Sequence, residues 1–340
     1  MNDTGAFGGP NRYYDRPEDM AAARKPWPSR EPEAEVMIRT LLAESQKDLA
    51  DQVRRAVKKW NLALREAIRT ETGLRLGQGD DRQAVPVEVQ DGLPWPLIKL
   101  LNDFPDSLIW RLVLHLPLLQ ATVAGLGVTI NNLEGINKWP PMRQKTLFSE
   151  DENLPGAKRF VERLVKELEK LSLIERIRNI NEDILGAYFF RRPKIYVYWM
   201  VIGLVAALLQ VQVEALTIVV LAHELAHAYT HLGKDIDGQQ WDTKAFAKSS
   251  LSIVEGLAQF YTEVVCRRLS KRQPDALAAY EKLLAMQSGP YVMHKEWVQD
   301  DQRAGEVVRI SMIHCRSNNM VEYELFRQEL AKAQESIGNQ

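Results

Sequence analysis

The chain has 340 residues, enough for one large domain or two modest ones with a proper core. Its 44 Lys and Arg against 45 Asp and Glu leave a net charge of −1, so the basic excess that marks a nucleic-acid-binding protein is missing. Cys266 and Cys315 are too few for a disulfide framework and stand in no CxxC spacing, which fits two reduced thiols in a cytoplasmic protein.

Residues 1–35 are rich in Gly, Pro, Arg, Asp and Glu and lack the apolar core of a secretory signal, so they read as a flexible tail. From Val36 to about Glu71, Leu42, Leu49, Val53, Val57, Trp60, Leu64 and Ile68 recur at spacings of three, four and seven. That pattern predicts one long helix, ended by Gly73, whose seam packs within the chain or pairs with a second copy. Val85 to Val89 alternates and reads as a short strand, and Pro94-Trp95-Pro96 as a turn with a buried ring. Ser107 to Leu116 reads as a helix cut by Pro117. Ala121 to Ile130 is apolar with two glycines and has no clear type. Asn131 to Pro155 reads as loop, and Ala157 to Ile180 as an amphipathic helix with Phe160, Leu164, Leu168 and Leu171 on one face.

Ile195 to Val213 is free of charge for 19 residues. Its β-branched and aromatic first half suits a buried strand that runs into a helix near Gly203. The alternative is a membrane span at the short end of the useful range. Glu214 to Leu232 reads as a helix apolar nearly all round, stopped by Gly233 and therefore buried. Asp235 to Asp242 is a polar loop. Ser250 to Leu269, Pro274 to Met286 and Ala304 to about Ala333 read as three further helices.

Inside the buried helix stands His223-Glu224-Leu225-Ala226-His227, an H-E-x-x-H pattern. Residues i and i+4 share a helix face, so two imidazoles converge on one ion, while Glu224 faces slightly aside and reaches a water held there. A catalytic metal needs a third protein ligand from elsewhere. Glu255 is the candidate, a lone carboxylate in the apolar stretch Ile253-Val-Glu-Gly-Leu-Ala258. His231 continues the row at i+8, but three ligands along one straight helix span about 12 Å and cannot share an ion. It is better placed beside the site or at a solvated helix end.

At these residues the sequence resembles the gluzincins, zinc metallopeptidases with H-E-x-x-H on one helix and a glutamate ligand on the next. Glu255-Gly256-Leu257-Ala258-x-Phe260 looks like the E-G-[FL]-A-x-[YF] signature of the aminopeptidase-like branch. The resemblance covers about Ile195 to Leu269. It implies Zn2+ at His223, His227 and Glu255, catalysis by Glu224, and a peptide or protein substrate. No G-x-M-E-N-type segment precedes the motif, so aminopeptidase activity is not implied. The fold expected is mainly α (α+β): a flexible tail over 1–35, a helical region over 36–182, and a zincin-like domain over 183–340 with a small sheet beside the metal helix. A donor for the oxyanion is expected among Tyr261, Tyr291, His294 and His231, with Tyr261 and His294 put forward as catalytic. Asp237 or Asp242 would orient the metal histidines. The other readings are a catalytically idle zincin-like scaffold and a membrane-embedded zinc peptidase.

Overall fold

Apolar side chains recurring at helical spacing make most of the chain α-helix. In a computed structural model, residues 33–45, 48–77, 84–104, 107–136, 153–171, 184–298 and 303–338 are described. They fall into two compact units, one drawn from Met1–Lys99 with Ile180–Gln340 and the other from Leu100–Asn179.

The first unit is built around its most apolar helix. The elements that enclose it are α1 (Glu33–Ser45), α2 (Leu49–Thr72), β1 (Val87–Gln90), β2 (Gly186–Phe189), β3 (Lys194–Tyr198), α7 (Trp199–Leu209) and α8 (Val213–Leu232). After them come α9 (Thr243–Lys248), α10 (Leu251–Leu269), α11 (Pro274–Leu284), a 3-10 turn (Gly289–Glu296), α12 (Ala304–Ser317) and α13 (Tyr323–Gly338). Helix α3 (Trp95–Asp103) runs across the division between the units. In α8 every residue from Ala215 to His231 is buried, as an all-round apolar pattern requires. It is packed by α2, α10, α11, α7 and β2, most extensively by α2. The seam of α2 supplies Val53, Val57, Leu64 and Ile68 to this core.

Three strands form a sheet in the order β1-β3-β2, with β1 parallel and β2 antiparallel to β3. The register places Tyr188 and Val87 on either side of Ile195, and Gly186 and Val89 on either side of Val197. These residues share one face of the sheet. Ile195, Val197 and Tyr188 are fully buried on it, and β2 lies against α8.

The N-terminal seam is two helices. Asp48 takes a left-handed conformation (φ 58°) between α1 and α2, and α1 begins at Glu33, inside the segment expected to be tail. Gly73 ends α2 at φ 73°, its N–H bonded to the Arg69 carbonyl. Gly203 does not interrupt α7. A Cβ there would stand 2.2 Å from Leu49 Cδ2, so its bareness lets α7 and α2 approach. Ile195 to Val213 therefore divides into β3, α7 and the start of α8. Among the described residues no single helix is long and apolar enough to cross a membrane. The last expected helix is also two, parted at Asn319 (φ 50°).

The second unit holds α4 (Ser107–Leu114), α5 (Leu116–Ile136) and α6 (Asn153–Lys170). Pro117 opens α5 instead of ending α4, because proline lacks only the N–H that a first helical turn leaves unbonded. The untyped stretch Ala121 to Ile130 lies within α5. Residues 131–136 and 153–155, expected as loop, are helical, while 137–152 and 172–180 lie outside the described residues. Pro94-Trp95-Pro96 leads into α3, and the ring of Trp95 lies outside the described residues.

Candidate metal centre

His223 and His227 sit one turn apart on α8, and Glu255 comes from the second turn of α10, which packs against it. Their donor atoms form a nearly equilateral triangle. His223 Nε2 and His227 Nε2 are 3.1 Å apart, and Glu255 Oε2 lies 3.2 Å from the first and 3.3 Å from the second. An ion bound tetrahedrally at about 2.0–2.1 Å holds its ligands about 3.3–3.4 Å apart, so the triangle matches one face of such a tetrahedron. The two imidazole planes stand at 89°, with centroids 4.6 Å apart. This buried trio could hold a metal ion.

The electrostatics suit a cation. Burial pushes the His223 imidazole below its ordinary pKa and so keeps it neutral. Burial works against the Glu255 carboxylate, but the imidazoles of His227 and His223 outweigh it and hold the group below the usual carboxylate range. A neutral His223 and an ionised Glu255 are forms that bind metal, and binding would displace any proton held within the trio. Nδ1 of His223 has no hydrogen-bond partner among the described residues. Asp242 does not serve it: Oδ1 of Asp242 accepts from the Lys244 and Ala245 N–H groups, both at 2.9 Å, as the N-cap of α9. Asp237 lies in an exposed turn, where its N–H donates to Asp235 Oδ1.

Glu224 is 2% exposed and lies against β2. A Cβ on Gly186 would stand 2.9 Å from Glu224 Oε1 and 2.8 Å from Val220 Cγ1, so the glycine makes room for the carboxylate. Sequence reasoning passed over Gly186. The available signal was a glycine opening an aromatic strand, which marks a close approach. Gly256, beside Glu255, likewise admits the Trp297 ring, 2.4 Å from where its Cβ would be.

The expected donors part company. Tyr291 is half-buried on the 3-10 turn and its ring stacks on His223, with centroids 6.2 Å apart at 29°. Tyr261 is 1% exposed and its hydroxyl donates to Met312 Sδ at 3.6 Å, in the core between α10 and α12. The structure does not bring it to the trio, because six residues on from Glu255 it points to another face of α10. His294 is buried, with Nε2 2.9 Å from the Tyr280 hydroxyl and 3.2 Å from Glu263 Oε2. It belongs to a polar knot where α10, α11 and the 3-10 turn meet. His231 is fully buried, not solvated: Tyr188 and Thr243 bond its two nitrogens at 2.9 and 3.1 Å, and Phe246 stacks on it.

No family model matches the chain, and no curated protein and no solved structure matches it.

Proposed function

We propose that the protein is a zinc-dependent metallopeptidase of the gluzincin kind, with a zincin-like fold in which His223, His227 and Glu255 hold the ion. The donor triangle of 3.1–3.3 Å edges carries this reading, together with an unbroken H-E-x-x-H in which Glu224 follows the ligand His223 in sequence. Two nitrogens and one carboxylate oxygen suit zinc, and three protein ligands leave a fourth position open. Bound there, the ion would supply Lewis acidity and water of lowered pKa. Glu224 takes a proton from the attacking water and returns it to the leaving amine. The Tyr291 ring over His223 supports assigning it as the donor to the developing oxyanion. Of the three ligands only His223 has appreciable exposure, 8%, so substrate approaches on the Tyr291 side.

The depth of the trio also favours a second reading, a structural metal in an idle scaffold, since Glu255 is 1% and His227 0% exposed. Elemental analysis and a peptide-cleavage assay separate the two. The wild type is expected to carry about one zinc per chain, and His223→Ala little. Glu224→Gln should keep its zinc while cleavage falls roughly 10²–10⁴-fold. Equal zinc in wild type and His223→Ala would end the assignment. Zinc in both, with cleavage indifferent to Glu224→Gln, would favour the scaffold.

A further inference from the structure

The second unit carries an apolar helix that the neighbouring helices of that unit cover only in part. Between Arg111 and Glu134 there is no Asp, Glu, Lys or Arg. This run forms the end of α4 and most of α5, and the two axes bend by 55°. No side chain described on α5 is buried, and Leu118 and Val128 are 61% and 60% exposed. A helix that is apolar all round normally lies inside a core or in lipid, whereas a protein groove asks for only one apolar stripe.

The polar atoms of α5 fit lipid as well. Thr122 and Thr129 turn their hydroxyls back to the Leu118 and Gly125 carbonyls at 2.8 and 3.0 Å, which satisfies them within the helix. Helix α6 packs antiparallel to α5, since Gln120 reaches Glu169 near one end and Gly127 faces Lys158 near the other. It adds an exposed Phe160 (70%) and five cations, Lys158, Arg159, Arg163, Lys166 and Lys170, against Glu162, Glu167 and Glu169. An aromatic residue and a cationic surplus on an amphipathic helix suit the boundary of an anionic bilayer.

We propose that α4, α5 and α6 form a membrane-docking unit that sinks the bent α4–α5 apex into an anionic lipid surface, with α6 lying at the headgroups. The bend fits a wedge that enters one leaflet and does not cross.

The test is flotation of the full chain with vesicles of equal phosphatidylcholine and phosphatidylglycerol, and with phosphatidylcholine alone. The wild type should float with the anionic vesicles. Leu118→Gln with Val128→Gln, both at exposed positions, should lower partitioning at least about tenfold while helix content and zinc content stay unchanged. Arg159→Gln with Arg163→Gln should weaken binding to the anionic vesicles more than to the neutral ones. A wild type that stays with the soluble fraction overturns the proposal, as does a Gln pair that floats like wild type. So does a wild-type dimer that the Gln pair returns to monomer, since the helix would then be covered by a second copy. Zinc content is read separately, so none of these outcomes bears on the metal centre.

Discussion

His231 continues the row of His223 and His227, yet its surroundings give it a different chemistry. Burial, with the Arg316 charge adding to it, lowers its pKa to about 3, so the folded chain holds it neutral. In the unfolded chain it titrates near 6.5. The unfolded state therefore binds the extra proton, and the stabilisation is complete above about pH 6.5. It is lost by about 1.4 kcal/mol per unit as pH falls from there towards 3. Between pH 7 and 5 the metal-free protein should lose about 2 kcal/mol through this residue, read by urea unfolding. His231→Phe keeps a ring against Phe246 and should start less stable, but its acid loss should be smaller by about that amount. Equal acid losses in the two proteins would assign the titration elsewhere.

Elements, not single residues, decide which side chains reach the trio. Strand β2 makes room for Glu224 because Gly186 has no side chain. Gly186→Ala is expected to leave zinc content intact but to displace the carboxylate. Cleavage should fall roughly 10²-fold, about what a 1 Å misplacement costs, with circular dichroism unchanged. Zinc loss in this variant would mean that β2 supports the ligands and not the base. The same scale shows what the sequence made readable. Helices α8 and α10 were legible because their apolar content leaves His223, Glu224, His227 and Glu255 as isolated polar residues needing an explanation. The break at Asp48 was hidden, since Leu42, Leu49 and Val53 keep helical spacing across it and no glycine marks it. Asn318-Asn319 did offer a signal, as asparagine tolerates the left-handed region that parts α12 from α13. Tyr291 and His294 lie three residues apart on one turn. Only the packing of that turn on α10 places the first over His223 and the second with Tyr280 and Glu263.

At the scale of the whole molecule, α1 and α2, which precede the sheet, belong to the unit that carries the His223–His227–Glu255 trio. Leu64 on α2 is fully buried in the unit that holds α8. Leu64→Ala should cost about 2–5 kcal/mol in urea unfolding, although it lies some 160 residues from the histidines in sequence. A cost below about 1 kcal/mol would mean that α2 is a detachable arm, as in a coiled-coil partner helix. Helix α8 is held at both ends by distant segments. Lys59 and Trp60 donate to Glu214 in its first turn, at 2.7 and 2.6 Å, and Arg316 donates to the Gly233 carbonyl at its end. During synthesis these two anchors arrive far apart in time, since Arg316 follows Trp60 by more than 250 residues. An ion would thus be captured only once Arg316 has been made, and a translation product halted before it would present its imidazoles on an unsecured scaffold.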